Sequence, residues 1–455
     1  MMTNSQRGVD WKQLARIPGF RWFFLGMFVS LFGTGMNYAA VTWYILGVTH
    51  STVSVSWIVI LVTLPGLFVP PFGGVLIDRV DRRYLAIAFD FARAFIVLGV
   101  AALAATHRLG LSEIYLMILL LGAGFAVYWS TANSLVQELI PAAQIVSANA
   151  AVLVAVQGGM MAAGAVVGFI YEHGGLGGIL AIDGATYCIA GFCLLAVRHG
   201  WHPPQRSIVS EPASLSALAL HAPPAESSFE AAGRETLPGP AGISLRLSFS
   251  ADLAEGLRYL REQPLVFALG LTYACMMAGV LSANVLVVAL AKDVLFSGPR
   301  GYGFIQSGWA VGAVVGGLAA LGISRRHPLG VLVAALAILS VGHTLFPYAR
   351  WLWVAVAMNA LFGACRALGG VLTQSALMTA VPRRLMGRTL SAFSVIATIL
   401  QVVMSFTLGW FAERASLTLA FFLLGLLYAL AVAAALRARF LASPGHALPL
   451  QSHAP

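Results

Sequence analysis

The chain has 455 residues, of which 59% are hydrophobic and only 10% charged. Soluble domains carry about 25% charged residues, so this composition excludes an ordinary soluble fold and fits a chain whose solvent is mostly lipid. The net charge of +10 would suit a nucleic-acid binder, but the basic residues lie in short segments between apolar runs, so no nucleic-acid partner is expected.

A spanning helix needs about 20 apolar residues. Twelve runs meet that need: 22–46, 55–77, 84–105, 113–137, 145–170, 176–197, 265–291, 302–323, 329–347, 351–378, 389–412 and 416–437. The predicted fold class is therefore all-α integral membrane, with twelve transmembrane helices. The first run follows a polar and basic tail, 1–21, and no small-residue site closes a short core, so no cleavable signal is predicted. Segments on the side of both termini hold 20 Lys and Arg against 5 on the other side, or 14 against 5 without the long central segment. Both termini are expected in the cytoplasm by the positive-inside rule.

The second run leads into Gly73-Gly74-Val75-Leu76-Ile77-Asp78-Arg79-Val80-Asp81-Arg82-Arg83. Gly73 and Gly74 permit close helix approach. Asp78 is placed at the membrane surface, where a carboxylate can face a helix N-terminus, and Arg79, Arg82 and Arg83 hold the loop in the cytoplasm. In the third run Asp90 and Arg93 share a face, three residues apart. An intramembrane charge costs at least ~2.5–3.5 kcal/mol, so the pair is either a local stitch or a proton site tuned by the arginine. Asp183, toward the outer end of the sixth run, is a proton carrier or a structural anchor on the same grounds. Mid-membrane polar and aromatic residues gather in four runs: Asn37, Tyr38 and Trp43; Tyr128, Trp129 and Asn133; Asn284; and Arg366 near the middle of 351–378.

Residues 198–264 divide the spans into six and six. Their Pro-, Ala- and Ser-rich part reads as a disordered linker, and 250–263 as an amphipathic helix on the membrane surface. The predicted domains are thus a tail 1–21, halves 22–197 and 265–437, the linker 198–264 and a tail 438–455. The halves echo each other at an offset of 241: residues 121–173 align with 362–414 without a gap, at 8 identities in 53. The matches include Gly122/Gly363, Ser134/Ser375, Pro141/Pro382, Gly168/Gly409 and Glu172/Glu413, which mark equivalent helix ends and packing points. A two-half pseudo-repeat follows. The four cysteines all lie in apolar runs, without a Cys-x-x-Cys pair, so neither a metal site nor a disulfide framework is expected, and no cofactor.

The Gly73–Arg83 string resembles the signature loop between the second and third helices of the major facilitator superfamily. Asp90-Phe91-Ala92-Arg93-Ala94, Ser147-Ala148-Asn149-Ala150, Ala181-Ile182-Asp183-Gly184-Ala185 and Glu255-Gly256-Leu257-Arg258-Tyr259-Leu260 resemble its drug-efflux branch, which includes macrolide exporters and the enterobactin exporter. The resemblance implies helices 1, 4, 7 and 10 around a central cavity, which makes Asn37, Tyr38, Trp43, Tyr128, Trp129, Asn133, Asn284 and Arg366 the substrate-binding candidates. Arg366 either holds an anionic group or is a buried partner for Asp90 or Asp183. The residues Asp90, Arg93 and Asp183 are the proton-coupling candidates. Gly73, Gly74, Asp78, Arg79, Arg82 and Arg83 form a conformational latch against the N-terminus of helix 11, near Arg388-Thr389. The fourth run has no arginine to complete a relay with the loop aspartate, and the fifth reads Gly164-Ala165-Val166-Val167-Gly168 where relatives often carry Gly-Pro.

The expected protein is a monomeric secondary transporter of the bacterial cytoplasmic (inner) membrane, in contact with membrane lipids. It exports a lipophilic or amphipathic small molecule by alternating access in exchange for protons. Import, facilitation or lipid flipping by the same fold are alternatives, as is a non-transporting assembly or sensor protein. No hydrolase, metalloprotease or phosphate-loop motif is present, so no enzyme is predicted.

Overall fold

The computed structural model describes residue 14 and residues 16–69, 80–141, 144–197, 258, 260, 262–323, 328–382 and 385–442. Gly73, Gly74, Asp78, Arg79, most of the linker with its amphipathic segment, and most of both tails lie outside them.

Among the described residues, ten helices are long and apolar enough to cross a membrane. One of these is two spans, because Gly175, at φ 57°, takes a conformation that favours glycine and breaks the run Ile145–Ala196. The shorter apolar segment Thr52–Phe68 supplies a further span, and the total is the twelve predicted. In chain order they are α1 (Pro18–Thr49), α2 (Thr52–Thr63), α3 (Arg82–Ala105), α4 (Leu111–Leu139), α5 (145–174), α6 (176–196) and α7 (Pro264–Ala289). The remainder are α8 (Gly298–Ile323), α9 (Pro328–Leu345), α10 (Leu352–Ala380), α11 (Met386–Arg414) and α12 (Leu417–Leu441).

Their ends follow from local chemistry. The side chain of Ser51 accepts the Ser54 N–H at the start of α2, that of Asp81 accepts the Arg83 N–H at α3, and that of Ser416 accepts the Leu419 N–H at α12. Helix α2 stops short of the predicted 55–77. Pro65 has no N–H for the next helical bond, and a separate short helix, Pro65–Phe68, follows. Helix α8 starts four residues before its predicted position, where Gly298, at φ 66°, turns the chain.

Consecutive spans alternate in direction, so the start of α1 and the end of α12 share one face of the bundle, here the terminal face. On the opposite, far face one hydrophobic core runs through both halves, from Met36–Leu46 and Val55–Val59 to Val285–Ala291, Ile305 and Leu408. Toward the terminal face it separates into two clusters. One, around Phe20, Phe23, Leu135 and Leu194, belongs to the first half alone, and the other, around Leu260, Leu269, Leu377 and Phe393, to the second. Among the described residues, the halves share a core at the far face and have separate cores toward the terminal face.

Candidate functional site

Between the halves lies a cavity of about 400 Å³. Its walls are mostly apolar, with a few convergent polar groups, as ligand cavities are. The first half contributes Asn37, Tyr38, Phe125 and Arg93, and the second Asn284, Gln306, Asn359, His343 and Arg366. On the second-half wall Gln306 Nε2 donates to Asn284 Oδ1 (3.2 Å) and lies 3.1 Å from the Tyr302 hydroxyl, and Asn359 Nδ2 donates to the Ile305 carbonyl (2.7 Å).

Arg93 joins the first-half wall to a buried ionic cluster behind it. Asp90 and Arg93, one helical turn apart on α3, form an ion pair. The guanidinium lies between two aromatic rings, 4.1 Å from the Tyr128 centroid and 4.5 Å from that of Tyr187. Each ring face is negative, so a guanidinium excluded from water keeps favourable contacts on both sides. The second oxygen of Asp90 is buried without a partner among the described residues. Asp183, fully buried on α6, accepts from Asn37 Nδ2 at 2.6 Å, and Tyr187 shares a hydrogen bond with Thr34 at 2.8 Å. Gly33 makes room: a Cβ there would sit 2.5 Å from Asp183 Oδ1. Asp183 is one helical turn from Tyr187, whose ring touches Arg93, so a second carboxylate stands near the same guanidinium.

Arg366 pairs with neither acid. Among the described residues its Nη2 meets only the Met277 sulfur, at 3.4 Å, and its Nε is buried without an acceptor. Below it, on α9, His343 stacks between Phe362 (4.2 Å) and Tyr428 (5.0 Å) and hydrogen-bonds the Leu339 carbonyl through Nδ1.

Of the eight predicted substrate contacts, Asn37, Tyr38, Asn284 and Arg366 line the cavity. The other four are not among its lining residues. Tyr128 is held under Arg93, Trp129 stacks on Phe125 (5.9 Å), Trp43 stacks on Tyr302 (5.8 Å), and Asn133 lies partly buried toward the terminal end of α4. The structure adds His343, Gln306 and Tyr187. Each is a polar or ionisable group inside an apolar run, the same signal that marked the aspartates. In the loop, Arg82 pairs with Glu138, and Arg83 donates to the Leu194 (2.9 Å) and Leu195 (2.5 Å) carbonyls, capping α6. Both bind within the first half.

The cavity is sealed on the far side by two seams. Along α2 and α11, Thr52 donates to the Gly409 carbonyl (2.7 Å), Ser56 to the Ser405 carbonyl (2.7 Å), and Gln401 to the Thr63 hydroxyl (2.5 Å). At its end Glu413 accepts from the Ser51 hydroxyl (2.5 Å) and the Val53 N–H (3.2 Å). Along α5 and α8, Ser307 donates to the Met161 carbonyl (3.1 Å) and Glu172 pairs with Arg300. Glycine makes this approach possible, since a Cβ on Gly164 would lie 2.8 Å from the Ser307 nitrogen. Lys292, in the turn Leu290–Val294 that follows α7, adds a bond to the Leu46 carbonyl of α1 (2.9 Å).

Known proteins repeat this architecture. The nucleoside transporter NupG superposes with a TM-score of 0.64 over 92% of this chain and 98% of its own, at 12% identity. The POT family transporter PepTSo superposes with 0.65 over 93% and 98%, also at 12% identity. The enterobactin exporter EntS of Shigella boydii serotype 4 (strain Sb227) is 27% identical over 382 residues, 82% of this chain and 80% of its own. EntS of Escherichia coli O6:K15:H31 (strain 536 / UPEC) is 27% identical over 381 residues, with the same coverage. The Major Facilitator Superfamily model matches residues 23–403. With twelve spans in two pseudo-repeat halves around a central cavity, the chain is a multi-pass membrane transporter and belongs to the Major Facilitator Superfamily.

Proposed function

We propose that this transporter exports a small amphipathic molecule across the bacterial cytoplasmic membrane in exchange for protons, by alternating access, as a monomer with both termini in the cytoplasm. One observation carries the reading: a mostly apolar cavity between the halves, closed at the far face, has Arg93 in its wall and the buried carboxylates of Asp90 and Asp183 behind it. Two carboxylates and one guanidinium leave a surplus negative charge if both acids ionise. A surplus charge out of water is costly, and binding one proton removes it. Asn37 touches both the cavity and Asp183, so it links an occupant of the cavity to the protonation of the cluster. The exporter names of the relatives support the direction.

The linker 198–264 joins the two rocking halves in this reading. The loop latch fits it too. Among the described residues no side chain caps the N-terminus of α11, and the Thr389 hydroxyl is buried there without a partner. Those free donors suit the Asp78 carboxylate when the terminal face closes.

The test is flux in proteoliposomes with and without an imposed pH gradient, using a panel of amphipathic solutes. Export against a concentration gradient that appears only with the pH gradient is the expected result. Flux indifferent to pH overturns the proton-antiport reading and puts a facilitator or another coupling ion in its place.

A further inference from the structure

The pseudo-repeat places two unlike residues at equivalent positions of the cavity wall. Arg366 and Phe125 are 241 residues apart, the offset that relates the halves, and both line the cavity. Of the two arginines on that wall, Arg93 is paired with Asp90 and covered by two rings. Arg366 has no acid among the described residues: its one hydrogen-bond contact there is the weak acceptor Met277 Sδ, and its Nε has none. An unpaired guanidinium in a low-dielectric wall is expensive to keep, and an oxyanion presented to its fork satisfies it. On the equivalent position of the first half, the Phe125 ring is 38% exposed, stacks on Trp129 and itself offers no hydrogen-bonding group.

We infer that the cavity takes an organic anion, its carboxylate- or sulfonate-like group on Arg366 and its apolar or aromatic body against Phe125. The inference rests on the cavity being the transport site, and it goes further by fixing the sign of the substrate's charge and its orientation. A symmetric duplication would give the two walls the same chemistry. Here one pole is cationic and the other aromatic, so a molecule that is amphipathic end to end fits better than a uniformly lipophilic one. His343 adds a second nitrogenous group near the cationic pole, and among the described residues no carboxylate lines the cavity.

A matched series tests the charge: 2-naphthoate, 2-naphthalenemethanol and 2-naphthylmethylammonium share a ring system and differ in charge. Calorimetry on purified full-length protein should give at least tenfold tighter binding of naphthoate than of the alcohol, with the ammonium weakest. Arg366→Gln should abolish that preference and leave the alcohol's affinity within about twofold. Arg366→Lys should keep part of it, and Phe125→Ala should weaken all three alike. Equal binding of the three by the wild type, a preference for the ammonium, or no binding of naphthoate overturns the inference, whether or not the variants fold. Counterflow in proteoliposomes separates the two levels. Exchange of neutral or cationic amphiphiles without naphthoate binding leaves the transport reading intact and removes this one. Absence of exchange for every solute removes the transport reading itself.

Discussion

Glu172 and Glu413 do the same work on opposite sides of the molecule. Each ends an equivalent helix, α5 or α11, at the far face, and each reaches across to the start of a helix in the other half. Glu172 pairs with Arg300 at the start of α8, and Glu413 accepts from Ser51 and Val53 at the start of α2. Both contacts must break for the cavity to open on that side. Partly exposed contacts of this kind are worth about 0.5–1 kcal/mol each. Glu172→Gln with Glu413→Gln should therefore favour far-face opening by roughly five- to thirtyfold. Cysteine accessibility at cavity positions from the far side should rise, and the double variant should exceed either single one. Unchanged accessibility would remove the gate.

Asp183→Asn keeps an oxygen for Asn37 and loses the ability to bind and release a proton. Accumulation driven by a pH gradient should disappear, while counterflow stays within about twofold. Asp183 is favoured over Asp90 because Arg93 already occupies one oxygen of Asp90. Retained pH-driven accumulation in the Asn variant would assign coupling elsewhere.

Removing Arg93 alone leaves two buried acids without a cation, a change that costs about 3–5 kcal/mol. Arg93→Met should lower Tm sharply. Asp90→Asn combined with Arg93→Met should recover part of the loss, since it removes one of the stranded charges. The order wild type, double variant, single variant in a melting series is the expected outcome, and additive losses would contradict the pairing.

Gly122 and Gly363 test the repeat. A Cβ on Gly122 would lie 2.7 Å from the Val62 carbonyl of α2, and one on Gly363 would fall on the Trp309 carbonyl of α8, the equivalent contact in the other half. Backbone cannot yield as a side chain can, so alanine at either position should cost ~1–3 kcal/mol. Gly99, with nothing within 4 Å of its Cβ, is the control, and alanine there should be neutral or stabilising by up to about 1 kcal/mol. Equal melting temperatures for the three variants would refute the packing argument.

Orientation is tested by single cysteines in a cysteine-free background. Ser112 is exposed at the far face and should label from outside intact cells, whereas Ser227 in the linker should label only after permeabilisation. The opposite pattern would invert the topology.

The sequence by itself determined the twelve spans, their halves and the equivalence of those halves, because lipid demands long apolar runs and leaves charge only at their ends. It also marked Asp90, Arg93, Asp183 and Arg366, since an ionisable group inside such a run must have a reason to be there. Only the tertiary structure decided what each of them meets. Helical spacing made Asp90 a neighbour of Arg93, but Asn37 reaches Asp183 across 146 residues, and Tyr128 and Tyr187 close on the guanidinium from two other helices. The same limit explains why Tyr128, Trp129, Trp43 and Asn133, polar or aromatic and mid-membrane in sequence, do not line the cavity while Gln306 and His343 do. Which face of a helix looks into a cavity depends on how neighbouring backbones pack. In lipid, an apolar face buried against a helix and one facing the membrane read alike.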